Sequence, residues 1–356
     1  AMNAKKLREL AETLYLKKAG LNTLHQEIAS NFYPQRADFT VTRYLGDDFA
    51  GNLLTSFPIV CARELTGAFG TMLRPVQKNW FEMTVAYTNK IDHEGKQWLQ
   101  WASGVQRRAM YDTHTLFNRA VVEADADFAV FGQAVLSCRL NRARDALLYR
   151  AWHLRDMVWI ENDEGNLCPI FRKWKPTVQT LMRLFPKAGQ LHPEVTKLAS
   201  KTPFQEIDVL HMIVPPEMFD GEAQGKPYFS IYYDCTHNHE IEALAVYNKE
   251  YIIPRWQTVS GSQYSYSPAT VAALPDARLL QAMTYTLLEA GEKTTNPPMV
   301  ATEGAVRSDV AIYAGGITWV DAEYDERLGE VLRPMTQDKS SIPLGMELSH
   351  DAMTML

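Results

Sequence analysis

Few residues of this chain are equipped for chemistry, and they are concentrated in one short constellation: Cys235, His237 and His239, at alternate positions. Alternate residues of a β-strand share a face, so a thiolate and two imidazoles would converge there, a donor set that suits Zn²⁺. Asp234 and Glu240 would fall on the opposite face of a regular strand, so no fourth ligand is evident nearby. The simpler reading is a polar, exposed strand face; no metal or cofactor is expected, and the three residues are kept as metal candidates. Residues 221–226, GEAQGK, fall one residue short of a phosphate loop, and Pro227 stands where a Ser or Thr must reach Mg²⁺, so a turn is the better reading. Neither GxSxG nor HExxH occurs, and Asp47-Asp48 and Asp125-x-Asp127 lack a His at useful spacing. The chain is therefore read as not an enzyme. The alternative from this chemistry is a metal-dependent hydrolase or nuclease built on the Cys235, His237, His239 face.

Composition narrows the class. With 356 residues, 46% of them hydrophobic, the chain can bury a substantial core in two or three domains. No run of about 18 apolar residues is present, so no membrane span or membrane partner is expected. No secretory leader is read at the N-terminus, and Ala1 ahead of Met2 looks like a residue left by expression. Cys61, Cys138, Cys168 and Cys235 are scattered without a CxxC, which suits free thiols in a reducing cytoplasm. A net charge of -6 argues against a protein that grips DNA by its phosphates. The short basic clusters, such as Arg107-Arg108 and Arg172-Lys173, are interleaved with acids and read as solvated faces.

The elements that would position these residues follow from periodicity. Residues 3–30 read as one amphipathic helix with Leu7, Leu10, Leu14, Leu21, Leu24 and Ile28 on a face, ended by Pro34. Pro58–Leu73 and Gly95 to about Asp127 read as further helices. Leu147–Trp174 changes to strand periodicity with a turn at 162–165, and a short helix follows Pro176. From Pro203 to about Val259 the composition is that of a small β module. A long helix is expected from Pro275 to about Lys293, with apolar residues around most of its circumference, so it must be covered on several sides. Alternation around Val310, Ile312, Ile317, Trp319 and Val320 points to returning strands, and Ser349 is a plausible N-cap for a last helix. The fold class is α+β.

Several of these segments, in order, resemble the podovirus-type phage head-to-tail connector, or portal, proteins. The pieces are Ile28-Ala29 with Tyr33-Pro34 and Phe39; Leu65-Thr66-Gly67-Ala68-Phe69-Gly70 with Arg74-Pro75 and Trp80-Phe81; FAVFGQAVLS at 128–137; the hairpin VWIENDEGNLCPIFRKW; and Arg255-Trp256 followed by Ser-Gly, a Tyr, Ser-Pro-Ala and Leu-Pro-Asp-x-Arg. The resemblance implies a wing over 1–174, a first stem segment over 175–202, a clip over 203–260, a second stem helix over 261–295, and a wing return over 296–356 that is cut or shortened before the channel loop. Two long stem helices would bracket the clip, which would act as a removable docking head.

The function implied is a homo-oligomeric ring, dodecameric in this family, at one capsid vertex. Double-stranded DNA would pass through it without sequence selection during packaging and ejection. Partners implied are the terminase motor, capsid and scaffolding proteins and tail adaptor proteins, with the protein in the virion and, during assembly, in the host cytoplasm. Arg278 and Lys293 are the expected channel residues, Leu280, Met283 and Leu287 the expected subunit contacts, and Tyr228, Phe229, Tyr232 and Tyr233 the expected docking aromatics. A non-portal capsid or tail structural protein is the other alternative.

Overall fold

The structure is a computed structural model and describes residues 2–356 apart from 45, 49, 76–77, 87–89, 188, 302–318, 320–326, 328–330 and 336–340. Along the chain the elements are α1 (Ala4–Lys17), α2 (Ala19–Phe32), α3 (Phe57–Leu73), α4 (His93–Met110), α5 (Phe117–Phe131), β1 (Leu136–Leu140), β2 (Leu147–Ala151), β3 (Met157–Glu161), β4 (Leu167–Trp174), α6 (Val178–Leu184) and α7 (Pro193–Lys201). Then follow β5 (Val209–Val214), β6 (Tyr228–Asp234), β7 (His239–Val246), β8 (Tyr251–Ile252), β9 (Gln257–Thr258), β10 (Ser265–Tyr266), α8 (Pro268–Thr295), β11 (Met299–Ala301), β12 (Leu332–Pro334) and α9 (Ser341–Met355). The α+β class holds. Contacts divide the chain into one unit of Ala1–Gly51 with Ile59–Ala272 and a second of Asn52–Pro58 with Ala273–Leu356.

The first unit is organised by an antiparallel sheet of order β3-β4-β5-β6-β7. Period-two alternation sends Phe171, Leu210, Met212, Phe229, Ile231 and Tyr233 to one face, where α1 lays down Ala4, Leu7, Ala11 and Leu14. Near one end of the sheet, α6 and α7 cover Val209 and Ile241 with Val178, Leu181, Phe185 and Val195. Every residue of β5 is buried, as expected of a central strand covered on both sides. A second sheet, β2-β1-β8, adjoins it through Tyr251.

A buried polar chain links these two sheets. Arg172, 1% exposed, donates from Nε to the Tyr251 hydroxyl (2.6 Å), and its guanidinium lies 3.8 Å from the centre of the Trp152 ring. Because arginine only donates, the Tyr251 O–H is free to donate to His211 Nδ1 (2.5 Å), which leaves Nε2–H to donate to Ser230 Oγ (2.9 Å). Burial, with Arg172 alongside, holds His211 well below the usual imidazole range, in agreement with this neutral tautomer.

Several sequence expectations need correction here. The expected single helix over 3–30 is two helices, broken at Lys18, whose side chain turns inward and is 2% exposed. Its Nζ donates to the carbonyls of Leu154 (2.5 Å) and Met157 (2.8 Å), and burial pushes it down to about 7. The expected helix over 95–127 is also two: Asp112 caps a turn at Thr113–Thr115, and Leu116 adopts left-handed backbone (φ 56°) that no helix interior accepts. In place of a long first stem helix, residues 175–202 form the short α6 and α7, started by the Thr177 and His192 caps and separated around Pro186. The β strands after 203 are not a self-contained module, since β5, β6 and β7 extend the sheet begun by β3 and β4. Removing 203–259 would strip three of five strands, so a clip that can be deleted without harm to the rest is excluded.

Helix α8, whose first turn belongs to the first unit and the rest to the second, begins at Pro268 and not at Pro275, which lies inside it, and its 28 residues span about 42 Å at ~1.5 Å per residue. Leu274, Ala277 and Leu280 are its buried apolar residues. Gln281 pins the 52–58 segment, accepting from Leu54 N–H (2.9 Å) and donating to Thr55 O (3.3 Å). Helix α9 begins at Ser341, so Ser349 is a buried mid-helix residue and not an N-cap. Gly345 lets α9 approach α8, because a Cβ there would sit 2.8 Å from the Leu287 side chain. β11 pairs with β12; the returning strands expected around Val310, Ile312, Ile317 and Val320 lie outside the described residues, and Trp319 is exposed.

Candidate functional site

The histidines lie at the β6–β7 hairpin, but not as the sequence suggested. β6 ends at Asp234 and β7 begins at His239, so Cys235 and His237 sit in the turn and do not share a strand face. Cys235 packs against the α1 side of the sheet, where burial pushes its thiol up to about 11, away from thiolate. His237 goes to the other side. Its Nδ1 meets Asp234 Oδ2 at 2.7 Å, and Asp234, 1% exposed, is itself fixed by the backbone N–H groups of Thr236 (2.8 Å) and His237 (3.0 Å) at Oδ1. The α7 N-terminus brings up two residues that sequence reasoning missed. His192 caps the helix, and its ring stacks on His237 (centroids 4.9 Å, 12° between planes); Glu194 places Oε2 3.5 Å from His237 Nε2. His239 Nε2 bonds to the Gln190 carbonyl at 2.9 Å and stands at the margin of the cluster. The only sequence signal was His192-Pro193-Glu194 opening a helix, about 45 residues from the hairpin, with nothing local to join the two.

Two of the motif phrases of the sequence meet in a second place, at the C-terminal end of α5. Helix ends leave carbonyls without partners, and here side chains from the approach to α8 supply them. Ser267 Oγ donates to Ala129 O (2.7 Å), Thr270 Oγ1 to Val130 O (2.7 Å) and Ser265 Oγ to Gly132 O (2.6 Å). Gln133 Oε1 accepts from Ser265 N–H (3.1 Å). Gly132 (φ +73°) ends α5, and a Cβ there would stand 2.0 Å from the Tyr266 backbone, so only glycine fits. Beside this crossing Phe69 meets Phe128 and Trp256 edge-on (5.4 and 4.9 Å), and Phe128 and Trp256 stack at 5.6 Å. Arg74 pairs with Asp125, and Arg36 with Asp127 (2.8 Å), so both acids of the 125/127 pair are structural ion pairs.

The remaining expected site residues are scattered. Phe229 and Tyr233, each 3% exposed, belong to the core under α1, and Tyr232 stacks on His211 at 4.1 Å, so three of the four docking aromatics serve the fold; Tyr228 is half-buried. Exposed aromatics of that region are instead Phe204 and Tyr247. Leu280 is fully buried within its own chain and Leu287 lies against α9, which removes both as free subunit contacts, while Met283 is half-buried. Apolar residues that α8 does expose are Leu279, Tyr285 and Leu288, all half or more accessible. Arg278 is exposed, and Lys293 is exposed and paired with Glu289 (2.6 Å). Among the described residues no helix is long and apolar enough to cross a membrane.

Residues 4–346 match the family described as bacteriophage head to tail connecting protein. The chain belongs to this family. Among curated relatives, a "Probable portal protein" of Bordetella phage BPP-1 is 23% identical over 307 residues, covering 83% of this chain and 54% of its own length. The "Portal protein" of Salmonella phage epsilon15 is 21% identical over 250 residues, covering 68% and 44%. The chain thus spans about half the length of these connector proteins.

Proposed function

We propose that this connector-family chain is a portal protein, a subunit of a closed ring, dodecameric by analogy with the family, that joins a phage head to its tail and lets double-stranded DNA pass in both directions. The observation that carries this reading is the family match over residues 4–346, which runs through every motif that converges at the α5 crossing. The role is structural, with no reaction at the His cluster required for it, and the energy of packaging would come from a separate terminase motor. Capsid, scaffolding and tail adaptor proteins are the further partners, in the assembling cell and then in the virion.

Exposed apolar surface supports assembly. Trp98 and Trp101 on α4 are each 61% exposed, Met72 at the end of α3 is 79% exposed, and α8 presents Leu279, Tyr285 and Leu288. Large apolar residues exposed in this way are what subunit contacts cover. These residues replace Leu280 and Leu287 as the interface candidates, with Met283 retained. Arg278 and Lys293 remain the candidate channel cations. The acidic net charge of -6 fits a passage along which DNA slides better than one that holds it.

Particle images and native mass measurement of the purified chain test the reading. The expected result is a closed ring with a central hole. A stable monomer, an open filament or a closed shell would overturn it. DNA binding in a filter assay at physiological salt should be weak and indifferent to sequence.

A further inference from the structure

We infer that His192, Glu194 and His237 form a binding site for one transition-metal dication, Zn²⁺ being the natural fit. Their donor atoms all lie within 4.8 Å of one another. The argument rests on the direction of the lone pairs. Asp234 is a carboxylate with both oxygens already engaged, and its Oδ2 accepts from His237 Nδ1–H. That contact fixes the tautomer, as a carboxylate behind a ligating histidine does, and leaves the Nε2 lone pair pointing outward. What it points at is Glu194 Oε2, 3.5 Å away, another acceptor. Two acceptors facing each other at this distance are a pair that a cation between them can bridge. The His192 ring, stacked on His237 and holding the Glu194 N–H at its Nδ1 (3.4 Å), supplies a second imidazole once it turns out of the stack and releases that cap. Two imidazoles and one carboxylate make a three-ligand set that leaves a position for water.

The elements are suited to closing on an ion. Tetrahedral Zn²⁺ with ligands at about 2.0–2.2 Å needs donor atoms roughly 3.4 Å apart, so the cluster has to contract by about 1 Å. His237 Nε2 and Glu194 Oε2 already stand at about that separation (3.5 Å), and His237 is fixed from behind by the buried Asp234, so the movement has to come from His192. An ion here would clip the start of α7 to the β6–β7 turn. This inference does not depend on the portal reading, and neither Cys235 nor His239 is a ligand in it.

The test is Zn²⁺ titration of the untagged full chain by calorimetry, with Co²⁺ visible absorption as a report of coordination. The expected result is one ion per chain and a rise in Tm on adding Zn²⁺. His237→Ala and Glu194→Gln should each weaken binding at least tenfold and abolish the rise, and Asp234→Asn should weaken it without removing a ligand. Glu194→Gln changes an exposed side chain, so its fold is expected to be intact, which an unchanged metal-free Tm would verify. Absence of stoichiometric binding by the parent, or equal binding by the parent and Glu194→Gln, overturns the proposal.

Discussion

The strand β5 and the helix α8 treat their apolar residues in opposite ways. All six residues of β5 are buried, between α1 on one face and the Arg172–Tyr251–His211 chain with α6 and α7 on the other. Helix α8 buries Leu274, Ala277 and Leu280 yet leaves Leu279, Tyr285 and Leu288 half or more exposed. The sheet is finished within one chain. The helix carries apolar area beyond what the described residues cover, and the difference separates residues buried by folding from those proposed for assembly.

The largest effect should come from breaking the sheet's buried polar chain. Arg172→Met removes the charged donor to Tyr251 (about 1.5–3 kcal/mol) and the desolvated cation over Trp152 (about 2 kcal/mol), and should cost about 3–5 kcal/mol in urea unfolding. Within α8 the contrast can be made between adjacent positions. Leu280→Ala should cost about 2–5 kcal/mol by leaving a cavity. Leu279→Ser should change stability by no more than about 0.5 kcal/mol and yet shift the oligomer toward monomer in sedimentation. If Leu279→Ser assembles as the parent does, the exposed face of α8 is not a subunit contact.

Two pH effects sharpen the same comparison, because both belong to the first unit. Burial lowers His25, packed against Phe39 and Phe131, from 6.5 to about 3. The unfolded chain therefore binds more protons between those values, and stability falls as pH drops from 6.5 toward 3. Burial lowers Lys18 from 10.5 to about 7, so the cost of holding it is full below about 7 and is relieved as pH rises toward 10.5. Unfolding measured across these windows should show both slopes, with His25→Phe flattening the acid one and Lys18→Met the alkaline one.

Much of the fold was legible where period and punctuation agree. The hairpin turn at 162–165, the α6 start at Thr177 and the end of α2 before Pro34 follow from local residue types. Errors arose where a tertiary partner decides. Lys18 ends α1 by reaching carbonyls at 154 and 157, and nothing near residue 18 announces them. Tyr233 and Phe229 read as exposed aromatics because an alternating strand does not say which of its faces a distant helix will cover. The site was legible in part: His237 was singled out, but its companions His192 and Glu194 come from another helix, and the strand assumed through Cys235 is a turn. The motif phrases at 128–137 and 255–278 were read as separate signals, and only the structure shows the first ending where hydroxyls of the second begin.

That meeting point has a mechanical consequence. With backbone against backbone at Gly132 and three hydroxyls holding carbonyls 129, 130 and 132, the end of α5 and the first turn of α8 have no compliant layer between them. A pull or twist applied to the first turn of α8 is delivered to α5 without being absorbed by side-chain rearrangement, as through a welded joint rather than a cushion.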